Sequence, residues 1–369
     1  MTDSSSAATL PRFESLLVVR LSAMGDIIHT LPAVAALRAA FPHANLGWLV
    51  EERWAELLCT LRYPRSGSRS IERPLADRVH TVNLTAWRRD IFSFNTVQQV
   101  AVALSQLRGV EYDAVIDFQG AIRSALLSRW SGAPIVFGDV QPRENAASMF
   151  YTREVETSGP HVVQRALELA RSVIGIPSPV TDVAKGQAEV KVELPVDSDA
   201  EKRIASLAAD AGQFAILNPG AGWGAKQWPA ERYGAVAKSL AQDGVRSLVN
   251  FGPGEENLAA AVESASEGAA RKVSCSIAEL ISLTRRARMM IGGDTGPLHL
   301  AAVLKVPVVA IFGPTNPARN GPFGARSIVL RSASSLTDHS RRREPELGLL
   351  KISVEEVLSA ARQLLRESQ

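Results

Sequence analysis

Short apolar runs alternate with amphipathic stretches along almost the whole chain, and this alternation restricts the fold more than any other feature. In the first half "LLVVRL", "ANLGWLV", "RVHTVNL", "YDAVIDF" and "PIVFG" read as strands, with helical patterns between them, notably Phe94 to Leu107 and Ala121 to Trp130. In the second half "FAILNPG", "VRSLVNFG", "RKVSC", "RMMIGG", "VPVVAIFG" and "SIVL" continue the series. One intervening helix has Pro229 near its start and Gly244 after its end, and another begins with Ser276 and Glu279 at capping-box spacing. Nearly continuous apolar strands separated by helices imply parallel sheets covered on both faces. The reading is therefore an α/β protein with two similar domains and a ligand between them, at the carboxyl ends of the strands.

Helix 161–175 closes the first half at Gly175, and segment 176–200 is rich in Pro, Gly, Ser and charge, which sets a boundary near residue 180. The 369 residues suit two domains of about 150 each. The assignment is a disordered leader over 1–13, an N-terminal domain over 14–180, a C-terminal domain over 181–350, and a last helix in 351–369 packing back on the N-terminal domain.

A hydrophobic content of 46% with 21% charged residues is ordinary for a globular protein, and no run approaches the roughly 18 apolar residues of a membrane span. The polar "MTDSSSAATLPRF" has no apolar centre and does not read as a signal peptide. Cys59 and Cys275 lie far apart without metal-like spacing, which fits a reducing cytoplasm. The net charge is only +3 but uneven. Residues 61–90 hold seven arginines (62, 65, 69, 73, 78, 88 and 89) against three acids, so an anionic partner is expected on the N-terminal half. A solvated arginine-rich loop accounts for the same run.

The motifs sort by domain. In "IGGDTGPLHLAA" a strand ends at Gly292-Gly293, and Asp294 can cap a helix opening with Thr295 and Gly296. Free amides and the helix dipole there would cradle a diphosphate. A well-capped structural helix, with His299 as a core histidine, fits the same residues. In "LNPGAGWGAKQWP" glycines at 220, 222 and 224 permit close backbone approach, with Ala221 between them, and Lys226 is a compact cation for a phosphate. One such loop is a weak signal; two in one domain, each at a strand end, form a much stronger one. Glu255 in "NFGPGEEN" either accepts hydrogen bonds from ribose hydroxyls or is an ordinary first-turn acid.

The N-terminal half has no comparable phosphate equipment. In "VVRLSAMGDIIHTLPA" a carboxylate, Asp26, stands just after Gly25, where a dinucleotide fold would place its phosphate, and His29 follows. The absence of G-x-G-x-x-G after this strand disfavours a nicotinamide-dependent oxidoreductase. Asp26 is either an N-cap or a general base facing the cleft, within reach of a hydroxyl nucleophile. Arg20, Arg88, Arg89 and Arg143 are the nearby candidate cations.

Taken together, "VVRLSAMGDIIHTLPA", "NPGAGWGAKQWP" and "GGDTGPLHLAAVLKVPVVAIFGPTNP" resemble the lipopolysaccharide heptosyltransferases of glycosyltransferase family 9, over about residues 15–330. "VEERWAELL" and "YDAVIDFQGAIRSALLSR" resemble the heptosyltransferase I branch. The resemblance implies a GT-B fold, two Rossmann-like domains with parallel sheets facing across a cleft. It implies inverting transfer of L-glycero-D-manno-heptose from ADP-heptose to the Kdo of Kdo-lipid A, with no obligatory metal or other cofactor. Asp26 falls on the family's proposed base. Gly25, Gly220, Ala221, Lys226, Glu255, Asp294, Thr295, Gly296 and His299 fall on the donor side, with Asp294 expected to contact heptose hydroxyls. Arg20, His29, Arg88, Arg89 and Arg143 fall on the acceptor side. A monomer in the cytoplasm, touching the inner membrane peripherally and binding no nucleic acid, completes the expectation. A heptosyltransferase II-like acceptor and a nucleotide-sugar epimerase of similar fold are the alternatives. Segment 331–350 departs from the family pattern, and a solvated linker or a membrane contact through Arg341 to Arg343 is the expectation there.

Overall fold

The computed structural model describes residues 12–90, 93–176, 191–338, 340 and 342–367. Strands β1 (Ser15–Val19), β2 (Asn45–Glu51), β3 (Arg78–Val82), β4 (Ala114–Asp117), β5 (Ile135–Asp139) and β6 (Arg153–Val155) form one parallel sheet, ordered β3-β2-β1-β4-β5-β6. Its helices are α1 (Met24–Ala40), α2 (Leu84–Arg89), α3 (Phe94–Arg108), α4 (Ile122–Trp130) and α5 (Val162–Ile174). The pleat sorts β1 between two layers. Leu16 and Val18 pack with Ile27 and Leu31 of α1, while Leu17 and Val19 join Trp87 and Leu107 of α2 and α3.

The second sheet repeats the plan with β7 (Phe214–Asn218), β8 (Arg246–Phe251), β9 (Ala270–Ser274), β10 (Met289–Gly293), β11 (Val308–Phe312) and β12 (Ser327–Arg331), ordered β12-β11-β10-β7-β8-β9. Helices α6 (Ser198–Ala211), α7 (Ala230–Gln242), α8 (Glu256–Ala265), α9 (Ile277–Arg286), α10 (Gly296–Val303), α11 (Pro317–Asn320) and α12 (Val354–Arg366) complete the domain. In each sheet the strand order reverses between the first and fourth strands of the domain, β1 and β4 or β7 and β10. That reversal opens a crevice at the strand ends, and ligands of doubly wound folds bind in it.

The last helix does not pack back on the N-terminal domain. Val357, Leu358, Ala361 and Leu364 of α12 share a core with Tyr233, Val236 and Leu240 of α7 and with Val309 and Ile311 of β11. A strongly amphipathic helix needs an apolar surface, and this face of the second sheet supplies it within the same domain. Phe13, assigned to the leader from sequence, packs against Phe41 and Phe137, with ring centroids at 5.7 and 6.4 Å. Residues 1–11 and the boundary near 180 lie outside the described residues.

Candidate functional site

The two switch points face each other across a cleft of about 510 Å³ lined by both domains. Helix α1 leaves β1 toward this cleft, and α10 leaves β10 toward it from the other side. Their N-termini meet through glycines: a Cβ on Gly25 would stand 3.0 Å from the His299 ring, and one on Gly296 would stand 2.6 Å from the Met24 side chain. Gly25 and Gly296 are therefore needed for contact between domains, beyond any role in backbone flexibility.

On the N-terminal side Asp26 occupies the third position of α1. Its Oδ2 accepts the amide of Ala23 at 3.2 Å, which satisfies an amide at the helix start that Ala23 itself cannot serve. Its Oδ1 lies 3.0 Å from the Arg20 guanidinium, and the side chain is 37% exposed, so an oxygen lone pair still faces the cleft. Arg20, expected on the acceptor side, is engaged within its own domain and is not among the residues that line the cleft. Its guanidinium spans the switch point, bonding Asp26 from one side and the carbonyl of Phe118 from the other. Below it, the Gln119 side chain accepts the amides of Leu21 and Ser22 at 3.1 and 3.2 Å and fixes the turn that launches α1. Asp117 anchors the opposite turn through the Ser124 and Tyr151 hydroxyls and the amides of Gln119 and Gly120. Burial pushes the Asp117 carboxyl up to about 6 against those four hydrogen bonds.

On the C-terminal side Lys226, in a 3-10 turn (Gly224–Lys226), donates to Asp294 Oδ2 at 2.7 Å and stacks 4.9 Å from the Trp223 ring. The His299 ring nitrogen bonds the other Asp294 oxygen at 3.0 Å. Burial raises the Asp294 carboxyl, but His299 and Lys226 outweigh it and hold the group well below the usual carboxylate range. One expectation for Asp294 changes. Thr295, not Asp294, is the N-cap residue of α10, and the Asp294 carboxylate holds Lys226 with one oxygen and His299 with the other. Amides at the start of α10 have no partner within the helix and open on the cleft beside Lys226. Thr295 is held by the Asn218 side chain at 3.3 Å, and Asn218 is in turn bonded by Asn250 at 2.7 Å. Glu255 curls back to the amide of Gly252 at 2.9 Å, directly over Gly220, where a Cβ would overlap its carboxylate.

Gly25, Asp26, Gly220, Ala221, Lys226, Glu255, Asp294, Thr295, Gly296 and His299 are all brought to this one cleft. His29 reaches its edge but is buried at the seam between domains, with its ring 4.1 Å from that of His299 and 5.7 Å from that of His161. Burial, aided by those two imidazoles, holds His29 well below the ordinary histidine value, so it packs as a neutral ring. Arg88, Arg89 and Arg143 are exposed and do not line the cleft. Within the arginine run only Arg73 is buried, and three others are engaged in ion pairs nearer the surface. Arg73 is fully buried among the carbonyls of Pro64, Gly67, Ser68 and Ala76, while Arg62, Arg65 and Arg69 pair with Asp199, Glu52 and Asp77. Asn218, Asn250, Trp54 and Leu280 also line the cleft and were not anticipated. The two asparagines had a signal, being polar residues at the carboxyl ends of otherwise apolar strands.

Comparison with known proteins agrees with this geometry. Residues 101–349 match glycosyltransferase family 9 (heptosyltransferase). Lipopolysaccharide heptosyltransferase 1 of Pseudomonas aeruginosa is 30% identical over 321 residues, covering 86% of this chain and 83% of that protein. The Escherichia coli protein of the same name is 30% identical, with 86% and 93% covered. The structure of E. coli heptosyltransferase WaaC with ADP superposes with a TM-score of 0.75 at 26% identity, covering 96% of this chain and all of that one. Two doubly wound domains that close their switch points on one cleft give this chain the GT-B architecture, which it shares with that heptosyltransferase. The chain belongs to glycosyltransferase family 9, the heptosyltransferases.

Proposed function

We propose that this enzyme transfers L-glycero-D-manno-heptose from ADP-heptose to the Kdo of Kdo-lipid A in lipopolysaccharide core assembly, with inversion and with Asp26 as general base. The observation that carries the reading is the opposition of a half-exposed carboxylate on α1 to Lys226 and the α10 N-terminus across one cleft. Relatives named lipopolysaccharide heptosyltransferase 1 and a WaaC structure described with ADP-2-deoxy-2-fluoro heptose support the donor and the pathway.

In this mechanism Asp26 takes the proton of the acceptor hydroxyl as that oxygen attacks the anomeric carbon and ADP departs from the opposite face. Arg20 and the Ala23 amide keep the carboxylate aimed at the cleft. Lys226 and the α10 amides meet the charge growing on the departing diphosphate, preorganised in the cleft between the domains. They supply the positive charge themselves, so the proposal needs no metal. Asp294 and His299 act by holding Lys226 in place.

The acceptor is lipid-linked in this reading, and α3 offers a surface for the membrane. Phe94 is 83% exposed and Val97 57%, no acid occurs between Phe94 and Arg108, and Arg88 and Arg89 end the preceding helix. Among the described residues no helix is long and apolar enough to cross a membrane, so attachment would be peripheral. A monomer suffices, because both halves of the site come from one chain.

The test is release of ADP from ADP-heptose with Kdo-lipid A, with an already heptosylated acceptor, and with none. Release that requires Kdo-lipid A supports the proposal. Release only with the heptosylated acceptor assigns a heptosyltransferase II-like activity, and acceptor-independent conversion assigns an epimerase or hydrolase. Salt-sensitive binding to anionic vesicles, weakened by Phe94→Ser, tests the membrane contact.

A further inference from the structure

Segment 331–350 carries no motif of the donor site, yet residues 342–352 fold against the turn that bears Lys226. The amide of Ala225 donates to the carbonyl of Arg342 at 3.1 Å, and the amide of Glu346 donates to the carbonyl of Ala225 at 3.2 Å. Gly224 lies so close to the Arg343 carbonyl that a Cβ there would stand 1.7 Å from the oxygen. Past the turn, the Trp228 indole donates to the carbonyl of Ile352 at 3.0 Å. The Lys226 turn is thus gripped on both sides by a chain segment more than 100 residues away in sequence.

The segment has its own lock. The Glu346 carboxylate accepts the Ser335 hydroxyl at 3.0 Å and the Leu349 amide at 2.7 Å. Burial raises this carboxyl, but these and neighbouring backbone amides hold it below its ordinary value. Asp338 donates its amide to the Pro314 carbonyl at 2.9 Å, and Gly348 packs where a Cβ would strike Ser335. A three-residue 3-10 turn has almost no stability alone. Its geometry must come from what it packs against, and a lysine that binds as a point charge depends on where its backbone is held.

We propose that residues 342–352 form a brace that positions Lys226 for the donor diphosphate, with Glu346 as its positioning residue. This rests on the assignment of Lys226 to donor binding. Glu346→Ala opens the lock, Glu346→Gln keeps an acceptor for Ser335 and Leu349, and Gly224→Ala pushes the Arg343 carbonyl off the turn. Val262→Ala, in α8 and away from the brace, is a core control for stability loss.

ADP affinity by calorimetry and KM for each substrate are measured at a temperature where all variants are folded. The brace predicts about tenfold weaker ADP binding and a matching rise in the donor KM for Glu346→Ala and Gly224→Ala, with acceptor KM unchanged and Glu346→Gln near wild type. Unchanged ADP affinity in both variants, or an equal loss in Val262→Ala, overturns the proposal. If wild type fails to bind ADP, or Lys226→Met binds it as tightly as wild type, the donor-site assignment falls instead.

Discussion

Lys226 and Asp294 form a nearly dry ion pair, and removing either partner exposes how much of the site depends on it. Their side chains are 13% and 7% exposed with the charges 2.7 Å apart. At an effective dielectric of about 20, charges roughly 3 Å apart attract by about 5 kcal/mol, which desolvation offsets in large part. Asp294→Asn leaves the ammonium buried without a counter-charge and is expected to cost about 3 kcal/mol. Lys226→Met costs about 2 kcal/mol, since His299 still bonds the carboxylate it leaves behind. The double variant removes both charges, so its loss should fall about 2 kcal/mol short of the sum. Urea unfolding of the four proteins at neutral pH measures this directly. Because Asp294 titrates lower in the folded chain than in the unfolded one, the coupling is complete above about pH 4 and fades in stronger acid. Additivity within about 0.5 kcal/mol would refute the view that Asp294 exists to hold Lys226.

Two further outcomes follow from contacts elsewhere. Gly220→Ala drives a methyl into the Glu255 carboxylate and should weaken ADP binding about tenfold by calorimetry, with little change in melting temperature; unchanged affinity would remove Glu255 and its loop from the donor site. His80 is buried against the Tyr112 hydroxyl at 2.8 Å, and burial together with Arg78 pushes it down to about 4. The unfolded chain then binds the extra proton, so stability is full above about pH 6.5 and falls by about 3 kcal/mol toward pH 4. His80→Gln should lose about that much less over the same interval, and parallel pH profiles for the two proteins would contradict the assignment.

The architecture was legible because periodicity is local and burial is not subtle. β7, β10 and β11 of the second sheet stand out as apolar runs, whereas Arg153–Val155 is three residues with two exposed charges and gives no such signal. The destination of α12 was illegible for a different reason. Its apolar stripe shows that it packs, but only the bare faces of α7 and β11 decide where. The same limit governed charge. Seven arginines in thirty residues look like a binding surface, yet Arg73 alone is satisfied by four backbone carbonyls that sequence cannot place around it. The motifs located the cleft because loops at strand ends must line a switch point. What they did not reveal was pairing: Arg20 with Asp26, Asp294 with Lys226 and His299, and segment 342–352 with the Lys226 turn, all contacts between residues far apart in the chain or in roles that several geometries would allow.

The central claim is that Asp26 removes the proton from the acceptor hydroxyl, and one comparison tests it. ADP release is measured with ADP-heptose and Kdo-lipid A for wild type and for Asp26→Asn, alongside ADP affinity and melting temperature. The account predicts that kcat falls roughly 100- to 10,000-fold while ADP affinity and folding are kept. A folded Asp26→Asn variant that turns over near the wild-type rate would contradict it.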